Sequence, residues 1–230
     1  MNFLLEAFYS AFRLIIGFDT DVGQVLWTSL EVSALATLFA SLIGVPLGLL
    51  IALNRFRGRQ ALLLLLNTSM ALPTVVVGLF FYALLSRRGP LGDLGLLFTP
   101  QGITLGLFAL SLPLVVNLSL AAIQGMDARL FLTCKLLGAN PIQQAWMILK
   151  EARFAVMAAI VMAFGRVISE VGIAMMLGGN IKGFTRTMTT AIALETSKGD
   201  FEFGLALGMV LLTVAFAVNA LLFLLQKENR

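Results

Sequence analysis

Five long apolar runs constrain this chain more than any other feature of its sequence. They carry few charged side chains, although the fourth is interrupted by Arg166 and Glu170. A helix needs about 20 apolar residues to cross the hydrocarbon of a bilayer, and it satisfies its own backbone polar groups without water. We therefore predict an all-α integral membrane fold with about five core transmembrane helices, over approximately residues 24–54, 60–86, 102–123, 154–177 and 203–226.

The composition indicates one membrane domain. Hydrophobic residues make up 59% of the 230 residues and charged residues only 12%, whereas about 25% is usual in soluble proteins. Nearly every stretch is either a span or a short connector, which leaves no room for a separate catalytic domain. We expect a single transmembrane domain over residues 1–230.

Glycine and proline within the spans predict how the helices pack. The pairs Gly44/Gly48, Gly102/Gly106 and Gly204/Gly208 have the spacing that allows two helix backbones to approach closely. Pro46, Pro73 and Pro113 each fall inside a span, where we expect a kink.

The cysteine and histidine counts exclude several kinds of chemistry. Cys134 is the only cysteine, so no internal disulfide can form, and the chain has no histidine. Zinc, haem and histidine general-base sites are therefore not expected, and we predict no metal ligand and no catalytic residue. An intramembrane serine protease is a poor alternative, because Ser119 and Ser169 lie in spans without a histidine or a G-x-S-x-G turn.

The basic residues predict a topology rather than a nucleic-acid partner. The net charge is +4, and membrane proteins concentrate basic residues in cytoplasmic loops. Loops 55–59 and 124–153 and the tail carry nine Lys and Arg residues, whereas the other loops carry six. This difference predicts that the first set is cytoplasmic, with the N-terminus outside and the C-terminus in the cytoplasm.

Residues 1–16 predict an amphipathic helix ahead of the first span. Asn2, Glu6, Ser10 and Arg13 form a narrow polar stripe among apolar residues. No basic residue precedes Glu6 and no small-residue cleavage site follows the apolar run, so the segment does not resemble a removable signal peptide. Whether it lies in the interface or spans the bilayer stays open.

A long polar segment, residues 124–153, separates the apolar runs and must lie outside the lipid. We predict two short helices at a Gly-Ala-Asn-Pro turn, with Asp127 capping the first and Gly138 in the left-handed position that ends it. Asn140 is the predicted N-cap of the second helix, Pro141 its first residue, and Gln143 the reciprocal residue of a capping box.

The second of these helices has an apolar face. Ile142, Ala145, Trp146 and Leu149 follow the spacing of a helix that docks in a groove. The alternative is that this face lies on the chain's own membrane domain or in the lipid headgroups.

Residues 165–190 hold the strongest candidates for a translocation pathway. Arg166 and Glu170 are four residues apart on one helix, and an ionisable pair at membrane depth either satisfies itself or faces an aqueous cavity. Beyond Gly172, we expect the helix to give way to a glycine-rich segment whose Lys182, Arg186 and threonine donors suit a tetrahedral oxyanion. A flexible external loop would have a similar composition. The candidate pathway and gate residues are Arg166, Ser169, Glu170, Gly172, Met175, Met176, Gly179, Asn180, Thr185, Arg186, Thr187, Thr189 and Thr190.

The polar segment resembles the cytoplasmic coupling segment of type I ABC importer permeases. Gly138 and Ile148 fall in register with that family's pattern, and Leu137-Gly138-Ala139 followed by Pro141 is similar to its central turn. Leu132-Thr133-Cys134 stands where the family has Glu-Ala-Ala, and Lys150-Glu151 stands where it has Leu-Pro. The resemblance implies contact with an ATPase through Lys135, Leu136, Leu137, Gly138, Ala139, Asn140, Pro141, Ile142 and Trp146.

The second segment resembles the molybdate, tungstate and sulfate permeases within that family. The similarity rests on Phe164-Gly165-Arg166, Ser169-Glu170-Val171-Gly172 and Gly179-Asn180-Ile181, and on Gly183, Thr185 and Thr187. Thr189-Thr190-Ala191-Ile192 and Lys198-Gly199-Asp200-Phe201 most resemble the tungstate branch.

The resemblance implies a permease subunit rather than an enzyme. Two copies in the cytoplasmic (inner) membrane would form the path for tungstate, with molybdate or sulfate as the alternative substrate. An external oxyanion-binding protein would deliver the anion, and a separate ATPase dimer would carry ATP and Mg, because this chain has no G-x-x-x-x-G-K-[ST] loop. An ATP-independent anion channel or a bare membrane anchor is the rival interpretation.

Overall fold

The computed structural model describes residues 9 and 20–227, without the side chains at 128, 131, 135 and 221–227. The amphipathic helix predicted over residues 1–16 therefore lies outside the described residues, apart from Tyr9. The described residues form nine α-helices and one short 3-10 helix and contain no strand, which confirms the all-α fold class. The helices are α1 (Thr20–Leu53), α2 (Arg59–Met70), α3 (Thr74–Leu85), α4 (Pro100–Gln124), α5 (Ala128–Leu136), α6 (Pro141–Ile168), α7 (Gly172–Gly178), α8 (Met188–Ser197) and α9 (Phe201–Lys227), and the 3-10 helix is Gly92–Leu94.

Three helices are long and apolar enough to cross a membrane alone. They are α1, α4 and residues Phe201–Ala220 of α9. Two bent pairs also qualify: α2 with α3, which meet at 99°, and α6 with α7, which meet at 59°. If each bent pair counts as one span, the described residues hold up to five spans, in agreement with the sequence.

The second span bends at Pro73, where a kink was expected, but the break is complete, and residues 60–86 form two helices instead of one. Helix α2 ends at Met70 and α3 begins at Thr74. Pro73 has no N–H to donate to the preceding turn and disfavours helical backbone at Leu72, so the helix stops. The Pro73 carbonyl then accepts the N–H groups of Val76 and Val77 at 3.0 and 3.2 Å and starts α3. By contrast, Pro46 and Pro113 lie inside α1 and α4, which continue past them.

The fourth span also differs, because it has no separate start near residue 154. Helix α6 runs without a break from Pro141 to Ile168, so the second helix of the polar segment is not short. No glycine or proline occurs between residues 142 and 164, and most residues there favour helix, so nothing local ends it.

The contact pattern divides the chain into two compact units. The first contains Met1–Ala36, Pro73–Leu107 and Gly165–Arg230, and the second contains Thr37–Leu72 and Phe108–Phe164. The single domain expected over residues 1–230 stays a prediction.

The core of the second unit forms where α1 and α4 come close together. A Cβ placed on Gly48 would lie 2.9 Å from the carbonyl oxygen of Val116 and 3.0 Å from the Ser119 Cβ, so only glycine allows this approach. Ile123 and Ile148, both fully buried, belong to the same apolar cluster. This cluster anchors the membrane end of the polar segment.

The core of the first unit includes α7 and α8. Helix α7 packs on α3, where a Cβ on Gly78 would lie 3.2 Å from the Met176 Cβ. Helix α8 packs on α9, with Met188, Leu207 and Val210 buried in one cluster. These contacts position the segment that carries the candidate pathway residues.

Candidate coupling and translocation sites

The caps of the polar segment are those that the sequence predicts. Asp127 Oδ1 accepts the Arg129 N–H at 2.8 Å at the start of α5. Gly138 ends that helix with a left-handed φ of 72°, and the Ala139 N–H reaches back to the Cys134 carbonyl at 3.0 Å. This is the Schellman arrangement of a helix C-terminus.

The second helix starts with a full capping box. The Gln143 N–H donates to Asn140 Oδ1 at 2.8 Å, and the Asn140 N–H donates to Gln143 Oε1 at 3.0 Å. Pro141 occupies the first helical position, where no N–H is needed. The turn between α5 and α6 is therefore fixed by bonds within a few residues of itself.

Apolar side chains around this turn are exposed in the second unit. Leu136 and Leu137 are 87% and 78% exposed, and Ile142 and Trp146 are 81% and 69% exposed. We call these four residues the turn surface. Beneath them, Cys134 and Ile148 are buried, so the surface stands on a packed base.

The predicted apolar face of α6 is divided between two environments. Ala145 and Leu149 pack against the core cluster around Ile148, whereas Ile142 and Trp146 point away from it. The prediction that all four form one docking face is therefore wrong, because the helix turns Ala145 and Leu149 towards the chain's own core. Of the other predicted coupling residues, Asn140 and Pro141 are exposed and Ala139 is partly exposed, while the Lys135 side chain lies outside the described residues.

Glu170 organises the break between α6 and α7 in the first unit. Its carboxylate accepts the Gly172 N–H at 2.9 Å and Arg166 Nη1 at 3.2 Å, and the Ile173 N–H at 3.4 Å. The Glu170 side chain is 3% exposed and that of Arg166 is 49% exposed. The ion pair that the sequence predicts is present, and its carboxylate also caps α7.

The threonines expected to donate to an anion bond within the protein instead. Thr187 and Thr190 form a capping box at the start of α8, a helix that sequence reasoning missed. The Thr189 hydroxyl donates to the Glu170 carbonyl at 2.8 Å, and the Thr185 hydroxyl donates to the Gly178 carbonyl. The threonine hydroxyls of residues 185–190 therefore have hydrogen-bond partners within the protein.

The glycine-rich turn after α7 has left-handed backbone at two consecutive residues. Gly179 and Asn180 have φ values of 67° and 52°. Asn180 accepts two bonds from Arg186, from Nε to its Oδ1 at 3.1 Å and from Nη2 to its carbonyl at 3.4 Å. The Phe98 ring packs on Gly179, which leaves no room for a Cβ there.

The remaining pathway candidates lie near the break. Ser169 and Met175 are exposed, Met176 is partly exposed, and Gly172 lies against Thr74 of α3. The structure thus brings Arg166, Glu170, Gly172 and Thr189 together, and it pairs Asn180 with Arg186. In the part of the chain that the structure describes, no group of acidic or cysteine side chains could hold a metal ion.

The structure also shows two long-range contacts that sequence reasoning missed, one of which adds Asp21 to the candidate residues. Lys182 Nζ lies 2.6 Å from Asp21 Oδ2, and Ser29 Oγ accepts the Met188 N–H at 2.7 Å. Both contacts join residues about 160 positions apart, which local spacing cannot reveal. The acidic character of the connector that contains Asp19 and Asp21 was the available signal for the first.

The fold is that of an all-α protein with several helices long and apolar enough to span a membrane. Residues 44–230 match the family model described as a binding-protein-dependent transport system inner membrane component. The chain belongs to this family. The match confirms the expectation of a transporter permease in the inner membrane.

Curated relatives cover almost the whole chain. The tungstate uptake system permease protein TupB of Campylobacter jejuni is 40% identical over 95% of this chain and 92% of its own. TupB of Peptoclostridium acidaminophilum is 38% identical over 99% of this chain and 100% of its own. The molybdenum transport permease ModB of Escherichia coli is 29% identical over 86% of this chain and 90% of its own.

Solved structures with the same fold are ABC importers. A bacterial ABC transporter that imports the acidic polysaccharide alginate has a TM-score of 0.75 at 17% identity, covering 94% of this chain and 82% of that one. The MetNI methionine ABC transporter has a TM-score of 0.68 at 16% identity, covering 90% of this chain and 93% of that one. These similarities show the fold.

Proposed function

We propose that this chain is the permease subunit of an ATP-driven importer of tungstate. The choice of tungstate as substrate rests on the difference in sequence identity among the relatives. The permeases named for tungstate are 38–40% identical to this chain, whereas those named for molybdenum and sulfate are 25–29% identical. Molybdate or sulfate is the second candidate substrate.

The proposed assembly has three further components. A second copy of the chain completes the translocation path, because up to five spans per chain are few for a gated pathway. An ATPase dimer binds the turn surface from the cytoplasm, and an external binding protein delivers the anion. The solved alginate transporter, determined with a periplasmic protein, is a precedent for the last component.

The mechanism we propose is alternating access driven by the ATPase. ATP binding closes the ATPase dimer and moves α5 and the start of α6, and this movement exchanges inward-open and outward-open states. The N-terminus lies outside and the C-terminus lies in the cytoplasm, as the nine-to-six distribution of basic residues favours. No bond of the anion is made or broken by this chain.

Reconstitution tests this proposal. The permease, its ATPase and its binding protein are placed in proteoliposomes that contain ATP, and uptake of tungstate, molybdate and sulfate is measured separately by elemental analysis. We expect tungstate uptake that requires ATP and the binding protein. Uptake without the ATPase would support a channel and refute the proposal. A preference for molybdate or sulfate would show that tungstate is the wrong substrate.

A further inference from the structure

A cavity in the first unit is lined by both charged and apolar side chains. Its volume is about 420 Å³, many times the roughly 30 Å³ that one water occupies in the liquid. Three cationic side chains line it, together with two carboxylates, an amide and an apolar floor. The residues at its wall include Asp21, Gln24, Lys182, Arg186, Glu195 and Lys198.

The described residues at the wall of this cavity carry one more positive than negative charge. Lys182 Nζ lies 2.6 Å from Asp21, and Lys198 Nζ lies 2.9 Å from Glu195 Oε1. Among the described residues, no carboxylate lies within ion-pair distance of Arg186, which bonds only neutral oxygens of Asn180. The excess positive charge of the cavity therefore belongs to Arg186.

The Arg186 guanidinium is held in a fixed orientation. Both hydrogen bonds that the guanidinium donates go to Asn180. The left-handed φ of Asn180 allows its carbonyl and its side-chain oxygen to accept from the same arginine. A guanidinium offers paired N–H donors that match the geometry of an oxyanion. An arginine fixed in this way loses little conformational freedom when an anion binds.

Lys182 can leave Asp21 at small cost. The Lys182 and Asp21 side chains are 63% and 60% exposed, and exposed ion pairs contribute only about 0–1 kcal/mol. A doubly charged anion beside Arg186 competes well with Asp21 for the Lys182 ammonium.

The location of these cations is also unusual. The topology predicted from the sequence assigns six basic residues to the external side, where such residues are usually scarce. Three of the six line this single cavity. All three belong to the segment between α7 and α9.

We propose that this cavity is an external docking site for a tetrahedral oxyanion, with Arg186 and Lys182 as its principal ligands. The inference rests on the proposed import of an oxyanion. The site would receive the anion before it enters the pathway and would have low affinity, because Asp21 competes for Lys182.

Cysteine protection tests the site without transport. Cys134 is the only cysteine of the chain, so a Cys134→Ser background leaves the permease without a native thiol. Gln24→Cys adds a thiol at the wall of the cavity, and its rate of modification by a sulfonated methanethiosulfonate is measured on the permease–ATPase complex in nanodiscs. We expect sodium tungstate to slow the modification several-fold, compared with sodium chloride at equal ionic strength.

Gly23→Cys is the matched control. Gly23 is adjacent in sequence and exposed, does not line the cavity, and has open space where a Cβ would lie. Its modification rate should not change with tungstate. Equal slowing at both cysteines, or equal slowing by chloride, would overturn the proposal.

Charge variants identify the ligands. In the Gln24→Cys protein, Arg186→Gln or Lys182→Gln should raise the tungstate concentration for half protection by about tenfold or more, because each removes a charge-assisted bond. Asp21→Asn should lower it, because Lys182 is released. If Asp21→Asn instead weakens protection as much as Lys182→Gln, the ion pair has only a structural role and the proposal fails.

The two proposals can fail separately. Tungstate uptake in proteoliposomes with no protection of Gln24→Cys would refute the docking site and leave the importer intact. Protection without any ATP-dependent uptake would support anion binding and refute the importer.

Discussion

Glu170 accepts hydrogen bonds from four partners. Its carboxylate accepts two backbone N–H groups and one guanidinium N–H, and its backbone carbonyl accepts the Thr189 hydroxyl. A buried carboxylate is costly unless such bonds compensate it. The residue therefore joins the end of α6 and the starts of α7 and α8.

Replacing Glu170 should show that the cap matters more than the ion pair. We expect Glu170→Ala to lower the free energy of unfolding by about 2 kcal/mol or more, because two N–H groups lose their acceptor. Glu170→Gln should cost less, since its amide oxygen can still accept. Arg166→Gln should cost less than Glu170→Ala, because the carboxylate keeps its two backbone N–H bonds and Arg166 is half exposed. Thermal unfolding in detergent measures all three, and an Arg166→Gln loss equal to that of Glu170→Ala would contradict this ranking.

Gly138 gives a second prediction at the scale of one residue. Nothing lies within 4 Å of a Cβ placed there, so a substitution meets no clash, but φ is 72°. Gly138→Val should strain the turn by about 1–2 kcal/mol and reduce the coupling of ATP hydrolysis to uptake, while the protein stays folded. Gly138→Asn is the control, because asparagine tolerates left-handed backbone. Normal coupling in the valine variant would show that the conformation of this turn is not required for coupling.

The reach of each contact decides which residues could be predicted from the sequence. The caps at Asp127 and Asn140 join groups two or three residues apart, so spacing alone identifies them. Thr189 bonds to a residue 19 positions earlier, and Met188 bonds to one 159 positions earlier. In the sequence, Thr189 therefore looked like a free hydrogen-bond donor.

At the scale of helices, the glycines that matter are those that face a backbone. Gly44 and Gly48 of α1 both lie against α4, close to Val115 and Val116. Gly208 belongs to a pair with the same spacing, yet nothing lies within 4 Å of a Cβ placed on it. The spacing predicts possible close packing, and the contacts decide where it occurs.

This difference gives a matched pair of variants. Gly48→Ala should lower the free energy of unfolding by about 1–3 kcal/mol, because the new methyl group would overlap a carbonyl oxygen that cannot move aside. Gly208→Ala should raise it by about 0.5 kcal/mol through helix propensity. Thermal unfolding of both variants under one condition is the measurement. A larger loss for Gly208→Ala would contradict the packing described for α1 and α4.

Helix boundaries were less predictable than helix class. The apolar run over residues 60–86 does not show that the helix ends before Pro73. Hydrophobicity predicts which residues lie in lipid, but it does not predict where the chain changes direction. Helix α6 continues past the polar segment because no residue there ends it. Helix α8 was missed because a threonine-rich start resembles a loop until its capping box is seen.

At the scale of the whole molecule, the turn surface is the exposed apolar area that the proposed ATPase would cover. Leu136, Leu137, Ile142 and Trp146 stand on the buried base of Cys134 and Ile148. Aromatic anchors of this kind often carry much of the binding energy of an interface. The family match makes an ATPase the partner to test.

Trp146→Ala should weaken assembly with the ATPase by about tenfold or more, because burying one large apolar side chain contributes about 1.5–3 kcal/mol. The affinity is measured between the purified ATPase and the permease in nanodiscs. Leu212→Ala is the control, since Leu212 is equally exposed at 71% but lies on α9. Unchanged affinity in the Trp146 variant would show that the partner binds elsewhere.

The unbroken course of α6 has a mechanical consequence. Its 28 residues form a rod about 42 Å long at about 1.5 Å per residue. Ile142 and Trp146 lie near one end and Arg166 near the other, and no proline or glycine hinge occurs between residues 142 and 164. Gly165, one position before Arg166, is the first glycine inside this helix. A tilt imposed at the turn would therefore be carried along α6 as far as Phe164, within the second unit, without meeting a glycine or proline.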